Sequence, residues 1–81
     1  MEKITYSIVS RGHMIIYYGS RSVKITGELI FDPPTFYADI NALKNWDSPN
    51  FKEITEEEKK VLIDFITEDG SVNGKTKIIF D

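Results

Sequence analysis

The chain has 81 residues, ten basic against thirteen acidic side chains, a formal net charge of −3 and no cysteine. A chain of this length supports one hydrophobic core, and residues 1–81 are read as a single domain. The missing thiols exclude disulfide-stapled secreted scaffolds and thiolate zinc sites, and the scattered bases on an acidic background argue against a nucleic-acid partner, which calls for a clustered basic face.

Met1-Glu2-Lys3-Ile4 leads directly into an alternating pattern, with no basic region followed by an apolar stretch. No signal peptide is therefore expected, and no apolar run approaches the roughly 20 residues that span a bilayer. The expected setting is the cytoplasm, with no membrane partner.

Ile4 to Ile8 alternates, placing Ile4, Tyr6 and Ile8 on one face of a half-buried strand. Arg11-Gly12 supplies a turn, and His13 to Tyr18 is rich in β-branched and aromatic residues on both faces, which predicts a central strand. Gly19-Ser20-Arg21-Ser22 closes it, and Val23 to Thr26 resumes alternation with Val23 and Ile25 inward. These segments read as an antiparallel meander. Gly27 predicts a bulge or a close backbone approach before Glu28 to Phe31 continues extended.

Asp32-Pro33-Pro34-Thr35 forces a turn, because proline fixes φ and offers no amide hydrogen to a ladder. Phe36-Tyr37-Ala38 is extended, after which Asp39 caps a short helical turn whose Ile40, Leu43 and Trp46 share a face. Thr55-Glu56-Glu57-Glu58 matches a capping box, preceded by Ile54 as a hydrophobic staple. The helix that follows is expected to bury Val61, Leu62, Phe65 and Ile66 and to stop at Gly70. Asn73-Gly74 predicts a tight turn into a last strand from Lys75 to Phe80, with Thr76, Ile78 and Phe80 on one face. The expected fold is α+β: a mainly antiparallel sheet, a meander of about four strands plus a C-terminal strand, with one amphipathic helix on one face.

No catalytic constellation stands out. His13 is the only side chain whose ordinary pKa lies near neutrality, and neither an orienting carboxylate nor an oxyanion hole can be named beside it. Glu56, Glu57 and Glu58 are explained by the helix start, and no glycine-rich loop precedes a Lys-Ser/Thr pair to cradle phosphates. No cofactor and no metal are expected. The aromatic residues on strands read as core and cross-strand pairs rather than a base-stacking platform, since the basic groove is missing. Tyr37 to Phe51 concentrates aromatic, acidic and proline residues. Trp46-Asp47-Ser48-Pro49 there either roofs the core with its indole, the ring then being partly buried, or forms a recognition loop.

The order Gly27-Glu28-Leu29, Phe36-Tyr37, an Ile40 to Trp46 turn, Trp46-Asp47-Ser48-Pro49, and Ile54-Thr55-Glu56-Glu57-Glu58 opening a helix resembles the Immunity protein 74 family of small bacterial proteins. The likeness runs from the strand near Tyr17 to the helix end, and Asp32-Pro33-Pro34-Thr35 is a longer connection than the pattern suggests. It implies a non-enzymatic protein, encoded beside a polymorphic toxin, that binds and neutralises that cognate toxin as a monomer. Tyr37, Asp39, Trp46 and Asp47 are the partner-binding residues it suggests. Two other readings stay open: a domain that self-associates through an unpaired strand edge, and an enzyme using carboxylates or His13.

Overall fold

The computed structural model describes residues 3–74 and 76–81. Five strands form one sheet in the order of the chain: β1 (Ile4–Ser10), β2 (His13–Tyr18), β3 (Arg21–Ile30), β4 (Thr35–Ala38) and β5 (Lys77–Phe80). Strands β1 to β4 are successively antiparallel, whereas β5 runs parallel to β4. A parallel neighbour needs a crossover, and it is supplied by a 3-10 turn (Ile40–Ala42), a loop and the helix α1 (Glu56–Val72). The α+β architecture read from the sequence is thus the one observed.

Alternation decides which face of each strand is inside. Met14 and Ile16 of β2, Val23 and Ile25 of β3, Phe36 and Ala38 of β4 and Ile78 of β5 are buried under Leu62 and Ile66 of α1, with Leu43, Trp46 and Ile54 closing the core from the crossover. Ile4, Tyr6 and Ile8 pack at its margin. The apolar residues on the other face of β2 do not make that strand buried on both sides: Ile15 is half-buried and Tyr17 exposed.

The Gly19-Ser20 hairpin has positive φ only at Gly19, 62°, a conformation that glycine adopts without the steric penalty of a Cβ. Gly27 makes a close approach at the point where β3 passes from pairing with β2, which ends at Thr26, to pairing with β4. A Cβ there would lie 2.5 Å from both the Phe36 ring and the Tyr37 carbonyl, so the ring of Phe36 occupies the space a side chain would take.

Other expectations are corrected by packing. Ile40 is 38% exposed, because the 3-10 turn meets the core through Ala42 and its C-cap Leu43, and Trp46 follows beyond it. Val61 and Phe65 are not buried; the inward row of α1 is Leu62, Ile66 and Gly70, spaced one helical turn apart. Gly70 therefore lies inside the helix instead of ending it. Its missing side chain lets α1 approach β5, since a Cβ would sit 3.0 Å from Ile78 Cγ1 and 3.2 Å from the Thr76 carbonyl. Helix α1 continues to Val72 and ends at Asn73, whose amide donates to the Asp69 carbonyl. The last strand begins at Lys77; Lys75, expected within it, is outside the described residues.

Candidate partner-binding surface

The chain from Asp39 to Ile54 is held against the free edge of β3. Residues of an antiparallel strand turn their amides alternately to one neighbour and the other. After the hairpin, Arg21, Val23 and Ile25 face β2, which leaves Ser22, Lys24 and Thr26 facing outward. Each outward residue is met by the crossover. Ser22 exchanges backbone bonds with Ser48 and accepts from the Asp47 amide (2.8 Å), and the Thr26 carbonyl accepts from the Asp39 amide (3.0 Å). The Lys24 amide donates to the Asp47 carboxylate at 2.7 Å. Beyond Asp47 the chain doubles back, with the Trp46 amide donating to the Lys52 carbonyl and the Ile54 amide to the Lys44 carbonyl. Phe51, 77% exposed, stands on this loop.

Trp46 sits beneath the loop with its indole stacked on Tyr18, the ring centroids 6.1 Å apart. The Arg21 guanidinium lies over both rings, 4.8 Å from Tyr18 and 5.1 Å from Trp46, a cation–π arrangement that also aims it at Glu58, with which it forms an ion pair. Glu58 belongs at the same time to the capping box: its carboxylate accepts from the Thr55 amide, and the Thr55 hydroxyl accepts from the Glu58 amide. Burial pushes the Glu58 carboxyl upward, but the Thr55 amide, the Arg21 guanidinium and the Trp46 indole together hold it below its ordinary value. The indole N–H makes no hydrogen bond of ordinary geometry, so Glu58 is its polarising neighbour rather than a bonded partner.

The residues singled out in the sequence therefore occupy different environments. Trp46 is 0% exposed, a full roof where a partly buried ring was expected. Asp47 bonds β3, and Asp39 caps the 3-10 turn by accepting from the Asn41 amide at 2.9 Å. Tyr37 projects from the outer face of β4, 37% exposed, opposite Glu28 of β3 and Ile79 of β5.

A second surface lies between β1 and α1. Val61, Phe65 and Val72, exposed by 46%, 42% and 72%, run along a flank of the helix beside its buried row. Ile4, Thr5, Tyr6, Phe65 and Asp69 line a groove there, which continues past Phe65 and Asp69 to Glu68, Val72 and Asn73. The Tyr6 hydroxyl donates to the Asp69 carboxylate at 2.7 Å and ties strand to helix. Burial and this carboxylate push the Tyr6 phenol up to about 12. The sequence carried a signal for this flank: Val61, Phe65, Glu68 and Val72 recur at spacings of three and four, and acid in the row marks a face open to solvent.

His13 Nδ1 is 3.1 Å from Ser10 Oγ, a contact made across the Ser10–His13 turn, and the Gly12 amide donates to the same hydroxyl. Among the described residues no group of three or more histidine or acidic side chains is placed to hold a metal ion, and no helix is long and apolar enough to cross a membrane.

The sequence model of one protein family, described as Immunity protein 74, matches residues 3–81, a longer span than the motifs alone cover. No curated protein and no solved structure matches the chain.

Proposed function

We propose, since the chain belongs to the Immunity protein 74 family, that it binds a cognate bacterial toxin in the cytoplasm and neutralises it by occupying the toxin's surface, without catalysis. The family match over residues 3–81 carries this reading. The side-chain chemistry supports it, because the Ser10–His13 contact and the acidic first turn of α1 both have local roles, in a turn and in a helix cap. In this reading Trp46 and Asp39 serve the partner indirectly, by fixing the crossover on β3; Asp47 does the same with an exposed carboxylate, and Tyr37 stands apart from it on the outer face of β4.

The test is co-expression with the product of the neighbouring gene. This chain should restore growth that the neighbour arrests, and the two purified proteins should form a stable complex. A neighbour that is harmless to the cell and is not bound by this chain would sink the reading.

A further inference from the structure

We propose that the groove between β1 and α1 receives an extended, basic segment of the toxin, which adds as a strand to the open edge of β1. The inference rests on the immunity reading above and names the surface it uses.

The edges of the sheet differ in how they are finished. The outward positions of β3 are met by Asp39, Asp47 and Ser48. At β5, Gly70 of α1 is pressed against the Thr76 carbonyl and the Ile78 amide, so the helix lies over that strand. At β1 the Gly19 amide donates to the Lys3 carbonyl at 3.0 Å, which sets the phase of the ladder. The pairs Thr5–Tyr17 and Ser7–Ile15 then bond inward, and Ile4 and Tyr6 turn their backbone N–H and C=O groups to the open side. No backbone bond joins Ile4 or Tyr6 on that side to another described residue. An exposed row of this kind is a template for an incoming strand.

The groove also has the wrong charge for its place in the fold. Its acids, Glu68 and Asp69, lie in the last turns of α1, where the helix dipole favours bases, and the last turn contains no base. Asp69 is engaged by Tyr6 and Asn73. Glu68 has no hydrogen-bond or ion-pair partner among the described residues. The fold leaves its carboxylate exposed, where a Lys or Arg on an added strand would pair with it, and Phe65 and Val72 would cover that strand's apolar side chains. A second copy of this chain, with its net charge of −3, would bring the same acids against these.

The experiment measures toxin binding by the full chain, using the product of the neighbouring gene. Glu68→Lys should weaken binding about tenfold while the thermal midpoint holds or rises, because the base suits the helix end. Amide exchange at Ile4 and Tyr6 should slow in the complex. Tyr37→Ala on the outer face and Phe51→Ser on the crossover loop should leave the affinity within about twofold. Loss of binding in those variants with Glu68→Lys unaffected would place the interface elsewhere and overturn the groove, leaving the immunity reading intact. A wild-type chain that binds no toxin overturns both. If the free protein sediments as a stable dimer with Ile4 and Tyr6 already protected, a second copy holds the edge, and the proposal fails.

Discussion

The Asp47 carboxylate accepts the Lys24 backbone amide at 2.7 Å, taking the place that a strand carbonyl would occupy on the free edge of β3. One side chain thereby finishes a sheet edge and anchors the segment that carries Trp46. Asp47→Asn, which keeps an acceptor oxygen, should be milder than Asp47→Ala. The alanine variant loses a charge-assisted bond at an exposed position, where water can replace it, and should cost about 1 kcal/mol. Urea unfolding of both variants checks the order; equal losses would mean that the bond contributes nothing.

Trp46 is the only tryptophan, fully buried and stacked on Tyr18. Its emission should be blue-shifted in the free protein and change little when a partner binds. Trp46→Ala should cost about 3–5 kcal/mol, a large share of the stability of so small a domain. Solvent-like emission from the folded chain would contradict the roof.

The capping box separates two neighbouring positions. Thr55→Ala removes the acceptor of the Glu58 amide and should cost about 1 kcal/mol, whereas Glu57→Ala, exposed on the first turn, should change stability by less than about 0.5 kcal/mol. Chemical denaturation giving equal shifts for the pair would show that the cap is unimportant.

Glu58 links this cap to acid stability. Its folded pKa lies below the ordinary 4.5, so its contribution is fully present above that pH and is lost as the pH falls through the folded value. Glu58→Gln should lower stability near neutrality and flatten the acid limb below about pH 4.5. An unchanged slope in the variant would remove Glu58 from the acid transition.

Tyr6 reports on the strand–helix tie at the other end of the pH scale. Its phenol is raised from 10.0 to about 12, so the folded state favours the neutral form, and that stability is present below pH 10 and lost as the pH rises toward 12. In an absorbance titration Tyr6 should ionise near pH 12, and Tyr6→Phe should delete that step. Completion of all tyrosine ionisation near pH 10 in the folded protein would break the assignment.

What the sequence determined by itself is local. Alternation at Ile4, Tyr6 and Ile8 and at Val23 and Ile25 set the inward faces, the small residues around Gly19 marked a hairpin, and Thr55 with Glu58 spelled a cap whose partners are only three residues apart. Such features depend on φ, ψ and spacing, which neighbours in the chain dictate. The tertiary structure decided what depends on distant partners. Gly70 reads as a helix stop until β5 lies against it, and nothing beside Asp47 in the chain foretells that its carboxylate accepts the amide of Lys24, 23 residues earlier. Val61 and Phe65 could not be told from Leu62 and Ile66 by periodicity, because an apolar stripe wide enough for two rows does not say which row the sheet will cover. The surface open to a partner follows from that same choice: packing α1 through Leu62, Ile66 and Gly70 leaves Phe65 and Val72 beside β1, on whose open side no backbone bond joins Ile4 or Tyr6 to another described residue.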